Sequence, residues 1–171
     1  MPDFAPPVPL SHEHQLDAFD CGSDAQSEWL RRYARQAQGS GTSRIYVVTR
    51  PGSRSVVGYY ALAAGSVEPA AAPDRLTKGA GRYDVPVVLM TRLNVDRTAQ
   101  GLGLGRSLVV DALARVVQAA EVIGVRALLI HAESENARQF YLHLAEFESS
   151  PTDPLHLVLL MKDLRAALAL V

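Results

Sequence analysis

The chain has 171 residues, a formal net charge of −1 and 48% apolar residues, which suits one compact domain and excludes a mainly disordered protein. Its single cysteine, Cys21, rules out an intramolecular disulfide and a cysteine zinc cluster. No apolar run is long enough for a transmembrane helix, and the N-terminus lacks the features of a secretory signal. We therefore expect a soluble, cytoplasmic protein with no metal site and no membrane contact.

The first third of the chain predicts one helix followed by a hairpin. A proline-rich, flexible lead-in is expected over residues 1–9, with a short strand near Val8-Pro9-Leu10. Ser23 and Gln26 resemble a capping box, in which each side chain bonds the other's backbone N–H, and this opens a helix. A β-branched strand is then predicted over residues 45–49, and a second strand over 56–67 forms a hairpin with it across the Pro51-Gly52 turn.

The remaining two thirds alternate strands and helices. The predicted elements are a loop or short helix over 69–84, a strand over 85–95, a helix to about residue 123, a strand over 126–132, a helix from Ser134 to about Leu144, and a strand over 155–161. This order predicts an α+β fold: a single three-layer domain with a mixed, mostly antiparallel sheet and flanking helices. We expect the domain to span residues 10–165, followed by a C-terminal tail over 166–171.

A glycine-rich loop follows the strand that ends in Leu93-Asn94-Val95. Its sequence, Gln100-Gly-Leu-Gly-Leu-Gly105, joins that strand to a helix, so backbone N–H groups and the helix dipole would favour an anion such as phosphate. A P-loop is excluded because no Gly-Lys-Ser/Thr follows, and Arg106 stands where a dinucleotide fingerprint needs glycine. The pattern therefore favours a phosphate cradle over a plain turn.

Two motifs carry a resemblance to the GCN5-related N-acetyltransferases. Gln100-x-x-Gly103-x-Gly105 resembles their pyrophosphate loop, and Ala137-x-x-Phe140-Tyr141 is similar to their second signature. The resemblance implies acetyl-CoA as donor, an amine as acceptor, and a splayed central strand pair formed by the strands over 85–95 and 126–132. It assigns to the donor site Leu93, Asn94, Val95, Gln100, Gly101, Leu102, Gly103, Leu104, Gly105, Arg106, Ser134, Ala137 and Phe140.

Tyr141 is the expected general acid. A phenol stays protonated at neutral pH and can protonate the thiolate that leaves as CoA departs. The general base stays open, since Glu68 and His131 are only weak candidates. An α-amine with a pKa of about 7.7–8.0 is partly neutral near pH 7, so water or a backbone group could suffice.

A narrower resemblance covers residues 10–165. Phe19-x-Cys21-Gly22, the block over residues 57–62 and Ser150-Pro151-x-x-Pro154 are similar to the acetyltransferase toxins of type II toxin–antitoxin modules. The resemblance implies acetylation of the α-amine of aminoacyl-tRNA, a block of translation, neutralisation by a ribbon-helix-helix antitoxin, and a homodimer. Asn94 departs from the small apolar residue that many members carry on this strand.

The charge distribution suits a polyanionic partner. Residues 31–106 contain twelve basic and four acidic groups, a net +8, whereas the rest of the chain has five basic and fourteen acidic groups, a net −9. Such a segment can form a basic face on a nearly neutral protein. The expected tRNA contacts are Arg31, Arg32, Arg35, Arg75, Lys78, Arg82 and Arg92.

Two alternatives stay open at this point. An acetyltransferase for a small amine or a protein N-terminus would use the same donor loop. A non-catalytic module that senses acyl-CoA or binds nucleic acid is less favoured, because both the loop and Tyr141 are intact. Tyr59 and Tyr60 are candidate lining residues of the acceptor site, and strand alternation allows only one of them to face it.

Overall fold

The computed structural model describes residues 3–79 and 81–170. The strands are β1 (Val8–Pro9), β2 (Arg44–Thr49), β3 (Val56–Val67), β4 (Val85–Val95), β5 (Ala127–His131), β6 (Glu148–Ser149) and β7 (His156–Leu160). The helices are α1 (Asp24–Arg32), α2 (Ala34–Ser40), α3 (Asp74–Thr77), α4 (Leu104–Ala120), α5 (Glu135–Leu144) and α6 (Met161–Ala169). Within the described ranges, none of these helices combines the length and apolarity needed to cross a membrane.

The seven strands form one sheet in the order β1-β2-β3-β4-β5-β7-β6. The pairs β1–β2, β2–β3, β5–β7 and β6–β7 are antiparallel, and β4–β5 is parallel. The parallel pair follows from the α4 crossover between β4 and β5, as expected for a strand–helix–strand unit. The predicted α+β class with a mixed, mostly antiparallel sheet is confirmed.

The described chain divides into two compact units. The first comprises residues 1–63 and 91–112, and its core includes Phe19, Leu30, Val47 and Tyr59, all almost fully buried. Trp29 packs on the edge of this core. The unit therefore contains β1, β2, both N-terminal helices and the glycine-rich loop.

The second unit comprises residues 64–90 and 113–171. Its core is built from strand residues such as Val87, Leu129 and Val158, with Leu76 of α3. Burying alternate β-branched and leucine side chains of these strands supplies the main driving force for folding. The second unit carries α5 and therefore Tyr141.

The structure departs from the predicted elements in the helix after Ser23. The predicted helix after Ser23 is two helices that meet at Tyr33, which ends α1 and precedes α2 with φ −117° and ψ −20°; no glycine or proline marks this break. At the N-terminus the short strand expected near Val8 is confirmed: β1 pairs with β2, and the Ala5 N–H before it donates to the Thr49 carbonyl at 2.8 Å.

The C-terminal region contains two elements that the sequence analysis did not predict. The short strand β6 pairs with β7, and α6 runs across the boundary expected at residue 165. Helix α6 follows β7 directly and has no side-chain cap at Leu160, so the usual start signal of a helix is absent. Its buried residues Met161 and Leu164 show that packing rather than capping holds it.

Candidate functional site

Strand β4 pairs with β5 over only the first part of its length. Its register with β5 runs from Val87 to Met90, against Ala127 to Ile130, whereas β4 itself continues to Val95. Residues 91–95 are all half-buried although the strand is central in the sheet. This stretch includes Leu93, Asn94 and Val95, the strand residues predicted to bind the donor.

The turn after β4 is held by the buried carboxylate of Asp96. Its Oδ1 accepts from the Asp20 N–H at 2.8 Å, and its Oδ2 accepts from the Thr98 N–H at 3.0 Å and the Thr98 hydroxyl at 2.6 Å. Burial would raise the pKa of Asp96, but these hydrogen bonds and the nearby Arg50 together lower it below its ordinary value. The sequence analysis missed this residue.

The glycine-rich loop adopts a conformation that depends on its glycines. Gly101 and Gly103 have φ values of +76° and +83°, in the left-handed region that other residues rarely occupy. A Cβ added at either position would meet no atom within 4 Å, so the backbone is open to a close approach. Leu104 is buried and begins the 17-residue helix α4, which places the N-terminal end of a long helix directly after the loop.

The side chain of Gln100 anchors this loop. Its Nε2 donates to the carbonyls of Cys21 and Val95 at 3.0 and 2.9 Å. In this structure Gln100 thus ties the loop to the end of β4 and to the segment before α1. Arg106 and Leu102 are exposed, and Gly105 lies in the first turn of α4.

Tyr141 lies on α5, in an apolar setting of the second unit. The residue is 6% exposed, and its ring makes edge contacts with Phe140 and Phe147, with centroids 5.2 and 6.0 Å apart. Burial, with a smaller contribution from Glu133, raises the pKa of the Tyr141 phenol. The phenol therefore stays protonated well above neutral pH and can serve as a proton donor.

The same helix uses Ser134 as its N-cap. The Ser134 hydroxyl accepts from the Ala137 N–H at 3.2 Å, so these two predicted donor-site residues bond to each other and fix the start of α5. This cap orients the turn that carries Phe140 and Tyr141.

The two weak candidates for a general base differ in setting. Glu68 is exposed and follows β3. His131 stacks on His156 with ring centroids 3.9 Å apart; burial first, and then His156, lowers the pKa of His131, partly opposed by Asp153. His131 is therefore neutral at pH 7, which is the form that a base requires.

A cluster between α1 and β4 contains side chains that the sequence analysis did not connect. The Arg92 guanidinium lies over the Trp29 ring, 4.5 Å from its centroid, and its Nη1 donates to Gln26 Oε1 at 2.6 Å. Asn94 Nδ2 donates to the same oxygen and to the Tyr59 hydroxyl, both at 3.3 Å. The Ser23 hydroxyl does cap the Gln26 N–H, but the Gln26 side chain reaches β4, which the capping-box prediction did not anticipate.

The two neighbouring tyrosines of β3 follow the predicted alternation. Tyr59 faces the Trp29 side, with its ring stacked 6.1 Å from that indole. Tyr60 stacks on Tyr46 at 5.1 Å and donates to Asp111. Both tyrosines are fully buried, so their rings belong to the core.

The predicted tRNA contacts fall into groups with different partners. Arg75 bonds the carboxylates of Glu148 and Asp163 at 3.0 and 2.9 Å, and Arg32 pairs with Glu28 at 3.2 Å. The two carboxylates compensate the charge of Arg75, which weakens the case for a phosphate contact there, whereas the Arg32–Glu28 pair is exposed and therefore weak.

The other cations have no carboxylate among these contacts. Arg31 and Arg35 donate to the carbonyls of Phe19 and His14. Lys78 and Arg82 are exposed in the second unit. Among the described residues, no group of three or more histidine, cysteine, aspartate or glutamate side chains could hold a metal ion.

No protein-family model matches the chain. The chain is 48% identical over 166 residues to a protein of Mycobacterium tuberculosis (strain ATCC 25618 / H37Rv) named tRNA-acetylating toxin, covering 97% of this chain and 98% of that protein.

Two solved structures are similar over nearly the whole chain. One is AtaT complexed with acetyl-methionyl-tRNAfMet, with a TM-score of 0.87 and 28% identity, covering 96% of this chain and 98% of that one. The other is a mutant AtaT toxin bound to the C-terminus of the antitoxin AtaR and to acetyl-CoA. Its TM-score is 0.82 and its identity 26%, with 98% of this chain and 99% of that one covered.

Proposed function

Because this chain belongs to the family of tRNA-acetylating toxins, we propose that it transfers an acetyl group from acetyl-CoA to the α-amine of aminoacyl-tRNA and thereby blocks translation. The observation that carries the proposal is the 48% identity to a tRNA-acetylating toxin, which extends over almost the full length of both chains. The enzyme is an acyltransferase with acetyl-CoA as its donor, the ligand that a related toxin structure contains.

The donor fits the open backbone of the first unit. Gly101 and Gly103 leave space at their Cβ positions, and the loop they form leads into the N-terminus of α4. Such N–H groups and the helix dipole stabilise a pyrophosphate. The half-buried strand residues Leu93–Val95 offer backbone groups to the pantetheine arm. Bound acetyl-CoA supplies the acetyl group as a thioester.

Proton transfer is the task of Tyr141. When the amine attacks the thioester carbonyl, the sulfur leaves with the electron pair of the broken C–S bond and needs a proton. The raised pKa of the buried phenol keeps that proton available over the physiological pH range. An α-amine with a pKa of about 7.7–8.0 is partly neutral near pH 7 and can attack without a strong base. Its nitrogen becomes positively charged on bonding the carbonyl carbon and then loses a proton to water, and Tyr141 regains its proton from solvent.

A tRNA acceptor explains the excess of basic residues over 31–106. Arg31, Arg35 and Arg92 all lie in the first unit, and their described hydrogen bonds go to uncharged acceptors. A surface of this kind attracts the phosphates of a tRNA without reading its sequence. Lys78 and Arg82 are further exposed cations that can contribute.

The partners follow from the same proposal. A relative of this fold is bound to the C-terminus of an antitoxin, and we assign a ribbon-helix-helix antitoxin to this chain. A homodimer would join the basic surfaces of two subunits. The site of action is the cytoplasm, where charged tRNA is found.

The test is a measurement of CoA release. Purified protein is incubated with acetyl-CoA and either charged tRNA, the same tRNA after deacylation, or a panel of small amines, and free thiol is followed with a chromogenic disulfide. We expect release with charged tRNA alone. Release with small amines but not with charged tRNA would contradict the proposal and favour a metabolic acetyltransferase.

A further inference from the structure

Arg92 is a cation held in place by neighbours that carry no charge. Its guanidinium lies against the Trp29 ring and donates to the amide oxygen of Gln26 at 2.6 Å. An aromatic face and a neutral amide orient a guanidinium without cancelling its charge. Arg92 therefore combines a fixed position with a full positive charge.

The neighbours of Arg92 are themselves fixed. The side-chain amide oxygen of Gln26 also accepts from Asn94. The backbone carbonyl of Gln26 accepts from the Tyr59 hydroxyl at 2.9 Å. The Trp29 ring stacks on Tyr59, which is fully buried. Rotating Gln26 or Trp29 would break several of these contacts, so the guanidinium is oriented before any ligand arrives.

Arg75 illustrates the opposite case, an arginine whose charge is already paired. Arg75 bonds two carboxylates, those of Glu148 and Asp163, so a phosphate would have to compete with both. Arg92 contacts an amide where a carboxylate would fit equally well, because glutamate has the same shape as the glutamine at position 26. The neutral residue leaves the charge of Arg92 available to an anion.

The position of Arg92 identifies that anion. Arg92 directly precedes Leu93, the first strand residue assigned to the donor, and the acceptor amine must reach the thioester near this stretch. In aminoacyl-tRNA the amino acid is esterified to the terminal ribose, so its carboxylate is gone. The anion closest to its amine is then the 3′-terminal phosphodiester.

We propose that Arg92 binds the 3′-terminal phosphodiester of the charged tRNA, and that Gln26 and Trp29 are positioning residues that orient Arg92 without pairing its charge. The inference rests on the proposed function and names one contact within it. On this proposal the cluster of Gln26, Trp29 and Arg92 binds a phosphate, in addition to linking α1 to β4.

The replacement Gln26→Glu separates the two roles. A glutamate keeps the acceptor oxygen for Arg92 and Asn94 but adds a negative charge, so a structural tie would be kept or strengthened. A phosphate contact would be weakened, because Arg92 would already be paired. The matched control is Gln118→Glu, the same chemical change at an exposed position of α4.

The experiment is a cycle that combines this variant with a changed acceptor. One charged tRNA has the natural linkage, and the other has an uncharged methylphosphonate as its 3′-terminal linkage. With wild-type protein we expect the methylphosphonate to lower kcat/KM by about 10- to 100-fold, the usual range for a charged hydrogen bond. Gln26→Glu should cause a similar loss with the natural linkage and less than about a threefold further loss with the methylphosphonate.

Other outcomes have distinct meanings. The assignment of Arg92 to the phosphodiester would be overturned if Gln26→Glu and the methylphosphonate lowered kcat/KM independently, so that their fold-losses multiplied. It would also be overturned if Gln26→Glu were as active as Gln118→Glu on natural tRNA. Arg92→Lys supplies a second check, since it keeps the charge but not the planar stack on Trp29, and it should lose activity only with the natural linkage. Absence of acetylation with wild-type protein and natural charged tRNA would instead refute the proposed function.

Discussion

Replacing Asp96 by asparagine removes the carboxylate on which the turn before the glycine-rich loop is built. Asparagine has the same shape, but one of its two terminal atoms is a donor. In the native protein both oxygens of Asp96 accept, from the Asp20 N–H on one side and from two donors of Thr98 on the other. Whichever way the amide faces, at least one backbone N–H then meets another donor.

The expected loss of stability follows from these contacts. A hydrogen bond to a charged group contributes about 1.5–3 kcal/mol, and a buried donor left unpaired costs a similar amount. Because one or two of the three bonds are lost, we expect Asp96→Asn to lower the free energy of unfolding by about 2–4 kcal/mol. Urea denaturation at pH 7 measures it as a shift of the midpoint at unchanged slope.

The pH dependence gives an independent check. The pKa of Asp96 is lowered in the folded protein, so its stabilising contribution is present above the unfolded pKa of about 3.9 and is lost as the pH falls through the folded value. The difference between wild type and Asp96→Asn should therefore shrink below about pH 4. The control is Asp17→Asn, at an exposed position. A loss below about 0.5 kcal/mol for Asp96→Asn, or one equal to the control, would refute this account of the turn.

Three further predictions concern the loop, the helix behind it and the proton donor. Gly103→Ala should weaken acetyl-CoA binding in calorimetry, since the φ of +83° at this position is costly for alanine. The control Gly39→Ala, at a position without a positive φ, should bind acetyl-CoA normally. Equal affinities of the two variants would contradict a phosphate-binding role for the glycine-rich loop. Gly58→Ala should cost about 1 kcal/mol in urea denaturation, because its Cβ would lie 3.0 Å from a Leu104 methyl; an unchanged midpoint would contradict tight packing there. The raised pKa of Tyr141 predicts that kcat/KM rises through the acceptor amine pKa, about 7.7–8.0, and stays high to at least about pH 10; a fall near pH 9 would exclude this phenol as the acid.

The fold class and the family could be predicted from the sequence because both depend on local sequence patterns. Apolar runs bounded by turn residues predicted β3 and β4, and the absence of a following Gly-Lys-Ser/Thr distinguished the loop from a P-loop. The family and the donor are confirmed by the comparisons. The roles of Tyr141 and of the loop residues remain predictions.

The side-chain contacts across elements were not accessible in this way. Gln26 looked like half of a capping box, yet its side chain bonds Arg92 and Asn94, more than sixty residues further along the chain. Nothing in the local pattern distinguishes Arg92, beside a neutral amide, from Arg75, beside two carboxylates. Such differences arise only when strands and helices distant in sequence pack together.

The central claim is tested most directly by mass spectrometry of aminoacyl-adenosine released from a charged tRNA pool. Wild-type protein and Tyr141→Phe are compared after incubation with acetyl-CoA, with urea denaturation confirming that the variant folds. We expect one added acetyl group on the aminoacyl part of some species, formed about 10²- to 10⁴-fold more slowly by the variant. An acetyl group found elsewhere, or an undiminished rate with Tyr141→Phe, would contradict the account.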